Sequence, residues 1–142
     1  GDLIASARTA TSEGYSHSVY IDGMDVAAAA GAGQNRHLTQ LQHDDAARTN
    51  IGVVNASAIP ISVDVRFFAA DGVLLADLQL EIKPFESRQI NDVFSSLGSA
   101  KAFNELHDAY AVVSSSTIGA AFFTYASVVD NETNDALFVP GR

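Results

Sequence analysis

Apolar and polar side chains alternate almost without interruption between residues 61 and 82. The segment reads ISVDVRFFAA, then Asp71-Gly72, then VLLADLQLEI. Successive side chains of a strand point to opposite faces, so a period of two marks a half-buried strand. Asp-Gly suits a two-residue turn whose positive φ angles match the twist of the paired strands. With that turn, Ile61 faces Ile82, Val63 faces Leu80, Val65 faces Leu78, Phe67 faces Ala76 and Ala69 faces Leu74. The other face pairs Ser62 with Glu81, Asp64 with Gln79, and Arg66 with Asp77. A slip of one residue would mix the faces, so pattern and turn chemistry agree on the register. One pair breaks the rule: Phe68 and Leu75 meet on the polar face beside the turn, a cap on the sheet end or a contact patch for a partner.

The same pattern predicts strands at 50–54, 110–114, 120–129 and 136–139. LIASARTAT and YSHSVYI flank Ser12-Glu13-Gly14 as a second, N-terminal hairpin. Asn91-Asp92 is expected to cap a short helix that runs through Val93, Phe94 and Leu97 to a stop at Gly98, and short helices are also expected around 102–106 and 26–30. Many short strands separated by turns predict a mainly β chain, an antiparallel β-sandwich with one to three short helices in its connections.

An internal echo bears on domain organisation. Ala5-Ser6, a polar loop and a strand ending at Ile21 resemble Ala126-Ser127, a polar loop and a strand ending at Val139. Residues 1–22 therefore read as a hairpin resembling the closing strands of a preceding repeat, 23–47 as a connector, and 48–142 as the sandwich domain. Such a hairpin must pack on its own domain or supply strands to another molecule.

Composition narrows the function classes. The chain has 142 residues, 47% of them hydrophobic and 18% charged, enough to bury one core. Lys and Arg number 8 against 17 Asp and Glu, a net charge of −9, which disfavours nucleic acid and anionic membranes as partners. No run approaches the roughly 18 apolar residues of a membrane-spanning helix. The chain lacks Cys, so it has neither a disulfide framework nor a thiol nucleophile.

Several segments together resemble a known type of domain. They are Arg48-Thr49-Asn50-Ile51-Gly52-Val53-Val54-Asn55, Asp71-Gly72 with Leu75, Arg88-Gln89-Ile90-Asn91-Asp92-Val93-Phe94, and Tyr110-Ala111-Val112-Val113. Tyr125-Ala126-Ser127-Val128-Val129-Asp130-Asn131, Asp135 and Phe138-Val139-Pro140 complete the set. The set resembles a poorly characterised β-sandwich repeat of secreted and cell-surface bacterial proteins, over roughly residues 48–140. The resemblance implies an immunoglobulin-like sandwich in an extracellular or cell-surface setting, and it carries no catalytic residues.

Candidate chemistry is sparse. Asp130, Glu132 and Asn134 alternate along an acidic loop and offer oxygens to Ca²⁺, although the loop lacks the central Gly and distal Glu of a calcium-loop motif. Asn and Asp also favour turns through their own side chains. His43-Asp44-Asp45 is a compact polar cluster able to help hold a divalent ion, while His37 and His43 have neither strand nor helical ligand spacing. His17 shares an alternating side with Tyr15, Val19 and Ile21. Ser114-Ser115-Ser116 lacks a nucleophile elbow and reads as a turn. Asn55-Ala56-Ser57 and Asn131-Glu132-Thr133 match the glycosylation acceptor pattern.

These readings predict a non-enzymatic extracellular structural subunit that joins other protein chains through strand edges, as a filament, pilus-associated or surface-layer component. Phe68, Leu75, Leu3, Ile4, Tyr15, Val19 and Ile21 are the expected partner contacts. The alternative is a ligand-binding or adhesive module of a larger secreted protein, with Ca²⁺ as its cofactor if it has one.

Overall fold

The computed structural model describes residues 6–10, 18–98 and 105–142. It contains β1 (Ser6–Ala10), β2 (Ser18–Asp22), a 3₁₀ turn (Val26–Ala28), β3 (Ala30–Gly31), β4 (Asn35–His43) and β5 (Ala47–Asn55). The chain continues through β6 (Ile61–Phe68), β7 (Leu74–Ile82), β8 (Ser87–Ile90), α1 (Val93–Ser96), β9 (Leu106–Ser114), β10 (Ala121–Asp130) and β11 (Ala136–Pro140). Two antiparallel sheets dominate. One runs β11-β10-β5-β8 with β3 added on β10, and the other runs β4-β9-β6-β7. The fold is therefore mainly β, with two sheets enclosing one core.

The 61–82 hairpin forms as the alternation predicts, from Ile61 opposite Ile82 to Phe67 opposite Ala76. Ile61, Val63, Val65 and Phe67 are fully buried, and Leu80 and Ile82 meet them. The turn itself differs from the two-residue expectation. Gly72 N–H donates to Ala69 C=O and Ala69 N–H to Val73 C=O, each at 2.9 Å, which closes a three-residue loop. Only Gly72 of that loop has positive φ (+88°), as a type I turn with a following bulge requires. The longer loop moves the pairing by one residue, and an irregularity between Phe67 and Phe68 restores it. Phe68 consequently faces Leu74, not Leu75, and Leu75 packs against the core.

Residues 35–43 lie within the segment expected to be a connector, yet they form β4, a strand of nine residues that pairs with β9. Leu38 and Leu41 are fully buried although three apart, a spacing that no regular strand places on one face. Gln40 adopts φ 58° and the register shifts between Leu38 and Leu41, so a bulge turns both side chains inward. The irregular spacing hid this strand. β8 was legible only as part of a motif, because none of its four side chains is fully buried.

Of the expected helices, Val93–Ser96 is α-helical and ends near Gly98 at φ 118°, while 26–28 is a single 3₁₀ turn. The expected helix at 102–106 falls mostly outside the described residues, and Leu106 opens β9. No helix among the described residues is long and apolar enough to cross a membrane.

An outer-face row ties the first sheet together. Tyr125 on β10 stands opposite Gly52 on β5 and stacks on Phe138 of β11, with ring centroids 5.4 Å apart. Its hydroxyl reaches beyond β5 and donates to Gln89 Oε1 on β8 at 2.7 Å. Gly52 leaves the path open: a Cβ there would sit 2.1 Å from Tyr125 Cζ. Gly52→Ala is expected to destabilise the fold by about 1–3 kcal/mol through overpacking, read as a lower urea midpoint. Adding Tyr125→Ala should recover part of that loss, since it removes the clash.

Candidate functional site

Among the described residues two places carry the candidate chemistry: a polar cleft at one end of the sheets, and the edge of β7 that no described strand covers.

The cleft has a volume of about 1020 Å³ and is lined by the 43–48 corner, Asp92, Glu105, His107 and Asn131. His43 closes β4 and is mostly buried, its ring 5.8 Å from that of Phe94. Asp92 precedes α1 in a left-handed conformation (φ 45°, ψ 62°), which costs a non-glycine residue energy. The sequence reading gave its side chain a capping role, but it makes no capping bond. Its Oδ1 instead approaches His43 Nδ1 to 3.2 Å, and neither buried atom has a hydrogen bond of good geometry. His107 Nδ1 lies 3.5 Å from Asp44 Oδ2 on the more exposed rim. Each imidazole thus has a carboxylate beside Nδ1, the arrangement that orients a histidine for work at its other nitrogen. No signal in the sequence joins His43 to Asp92, which meet through packing of β4 against the turn before α1.

The loop expected to hold Ca²⁺ forms one wall of this region. Asp130 Oδ1 accepts from Glu132 N–H at 2.9 Å and from Thr133 N–H at 2.7 Å. The Thr133 bond and then the Glu132 bond hold the Asp130 carboxyl below its ordinary value of 3.8. Asn134 turns its side-chain oxygen to Arg48 Nη2 at 3.1 Å, and Asn131 turns its own to Arg48 Nη1 at 2.7 Å. Asn131 Nδ2 also donates to Asp45 C=O at 3.1 Å, which fastens this loop to the 44–48 corner. Asp130 thus closes the turn and Asn134 engages a guanidinium, so two of the three residues expected to offer oxygens to Ca²⁺ already have hydrogen-bond partners. Among the described residues no three His, Cys, Asp or Glu side chains cluster as metal ligands do.

The other singled-out positions fall as follows. Phe68 stacks on Tyr110 at 5.0 Å with the Arg66 guanidinium 5.9 Å from its ring centroid, while Leu75 packs against the core. Val19 and Ile21 are in β2, opposite Thr9 and Ala7 of β1. Leu3, Ile4, Tyr15 and His17 lie outside the described residues. Ser115 is buried and donates to Ser62 C=O at 2.7 Å, a structural role. Asn55 is only 1% exposed, and its amide donates to Ile59 C=O at 2.7 Å and Lys83 C=O at 3.0 Å, so it is no acceptor for a glycan in the folded chain.

The second place is a strand edge. β7 pairs with β6 on one side and, among the described strands, with nothing on the other. The remaining edges are less open. β4 and the segment after β11 are bridged by reciprocal backbone bonds between His37 and Arg142, at 2.7 and 3.2 Å. β4 is also bulged, and β8 spans only four residues. Asp77, Gln79 and Glu81 point outward along β7, while Ala76 and Leu78 point inward and are only partly covered.

No protein family and no curated protein matches the chain. Among solved structures it is similar to the crystal structure of Thermotoga maritima 1070, at 13% sequence identity and a TM-score of 0.59. The match covers 79% of this chain and 94% of that one. A likeness at this identity concerns the fold alone.

The Asp130 turn makes a pH prediction. Its folded pKa is depressed, so its contribution to stability is present above the ordinary value of 3.8 and is lost as pH falls through the lower folded value. Asp130→Ala should lower the melting temperature at pH 7. That deficit should close as the pH is taken well below 3.8. A deficit unchanged at low pH would show that the carboxylate charge is not what holds the turn.

Proposed function

We propose that the protein is a non-enzymatic structural module, an immunoglobulin-like β-sandwich of the extracellular or cell-surface bacterial type, that joins other protein chains by strand addition. The observation that carries this reading is the edge of β7, a strand of nine residues that no further described strand joins and on which Arg88 Nη1 reaches only the Glu81 C=O. An added strand would satisfy its free N–H and C=O groups, and side-chain alternation would set the register. The usual protections of an edge are thin here: β7 has no Lys, no Pro and no inward-pointing charge. Its inward residues Ala76 and Leu78 remain partly uncovered, so an added strand would also bury apolar surface.

The test is direct. A synthetic peptide alternating valine and lysine should bind saturably and slow hydrogen exchange of the β7 amides, while a proline-containing version should not. Leu78→Lys places a charge on the half-covered inward face of the edge. It should weaken peptide binding by roughly tenfold, about 1.4 kcal/mol. Absence of binding to the wild-type chain would sink the reading.

A second reading, a ligand-binding or adhesive module, is favoured by the end cleft with its two histidine–carboxylate pairs. It predicts that Ca²⁺ or Zn²⁺ raises the melting temperature and that His43→Ala abolishes the rise. No shift with either ion, and blank glycan screens, would count against it.

A further inference from the structure

Among the described residues the β1–β2 hairpin pairs only with itself and joins neither main sheet. A two-stranded hairpin without further strands is marginal in water, because its outer hydrogen-bonding edges and one face stay solvated. β2 runs beside β11 without pairing to it, which places the hairpin at the β4–β11 side of the molecule. The free β7 edge is at the opposite end of its sheet from β4. The molecule therefore has a strand pair lacking a sheet on one side, and a sheet lacking a strand on the other.

We propose that the β1–β2 hairpin of one copy adds to the β7 edge of the next. This rests on the reading of β7 as a strand acceptor and names its occupant. The pattern of β2 fits the edge: Val19 and Ile21 alternate with Ser18, Tyr20 and Asp22, as an added strand needs to cover Ala76 and Leu78 on one side and meet water on the other. The two hairpin strands carry one basic residue, Arg8, and one acidic residue, Asp22, so their charges cancel, whereas the outward row of β7 carries Asp77 and Glu81. A copy of β7 itself suits the edge less well. Antiparallel β7–β7 pairing about Gln79 would set Asp77 against Glu81, like charges directly opposite. Donor and acceptor occupy different surfaces, so the contact is heterologous and propagates as an open chain unless its rotation closes a ring.

The test uses the full chain. Hydrogen exchange and sedimentation are followed from micromolar to millimolar protein. The expected result is growth of oligomers, with exchange slowed by an order of magnitude or more at both β7 and the β1–β2 strands. Cross-links should then join residues 6–10 or 18–22 of one copy to 74–82 of another. Val19→Pro removes a donor from β2, a strand outside both main sheets, so it should abolish oligomers and leave the melting temperature unchanged. A chain that stays monomeric while the valine–lysine peptide still protects β7 overturns the hairpin as occupant and leaves the acceptor edge standing. Oligomers that persist in Val19→Pro, or that protect β7 but not the hairpin, also overturn it. Failure of both the oligomer and the peptide removes the acceptor edge as well.

Discussion

The inward row of β6 is the constraint on which the rest of the structure depends. Ile61, Val63, Val65 and Phe67 sit in the middle of their sheet, with β7 on one side and β9 on the other. Each must find apolar partners on both flanks and across the gap to the second sheet. Val65 faces Leu78 and Val113, and Phe67 faces Ala76 and Ala111. Phe67 also meets Phe94 edge to face at 5.4 Å, so the short helix closes one end of the core. Moving β6 by one residue would expose this row and bury Asp64 and Arg66, so the register of three strands follows from one alternation.

Polar anchors then settle where the connections run. Asn55, buried at the end of β5, reaches carbonyls on both sides of the β6–β7 hairpin, at Ile59 and Lys83, and receives Ser57. Ser115 and Thr117 exchange bonds with the two backbone groups of Ser62, at 2.7 and 3.1 Å. Thr124 donates to Gly52 C=O within the core-facing layer. Asn131 fastens the β10–β11 connection to the corner before β5. Each of these residues satisfies backbone groups that an apolar side chain would leave bare, and this explains why polar side chains occupy inward or half-buried positions.

The same arrangement separates the two places where chemistry gathers. The end cleft draws on β4, the corner before β5, the turn before α1 and the start of β9, and its pairing of His43 with Asp92 brings together side chains far apart in the chain. The β7 edge lies across the sheet from β4 and owes nothing to those contacts. Under the strand-addition proposal, its backbone groups and half-covered Ala76 and Leu78 would supply the attraction for a strand, against the repulsion that a net charge of −9 sets between copies.

Regular alternation made β5, β6, β7, β9, β10 and β11 legible in the amino-acid order, and the Asn91-Asp92 and Gly98 signals marked α1. Their legibility is local: a period of two, a turn residue or a capping residue acts on its immediate neighbours. β4 escaped because the Gln40 bulge breaks the period that reveals a strand, and β8 because its side chains are hardly buried. Asp92 read as a cap, yet its carboxylate turns to a histidine on another element. Phe68 and Leu75 read as partners until the three-residue turn shifted the pairing. Alternation and turn chemistry therefore specify the strands and the hairpin register away from its tip. Which strand ends a sheet and which side chains share a cleft depend on contacts between distant segments, whose partners no local pattern encodes.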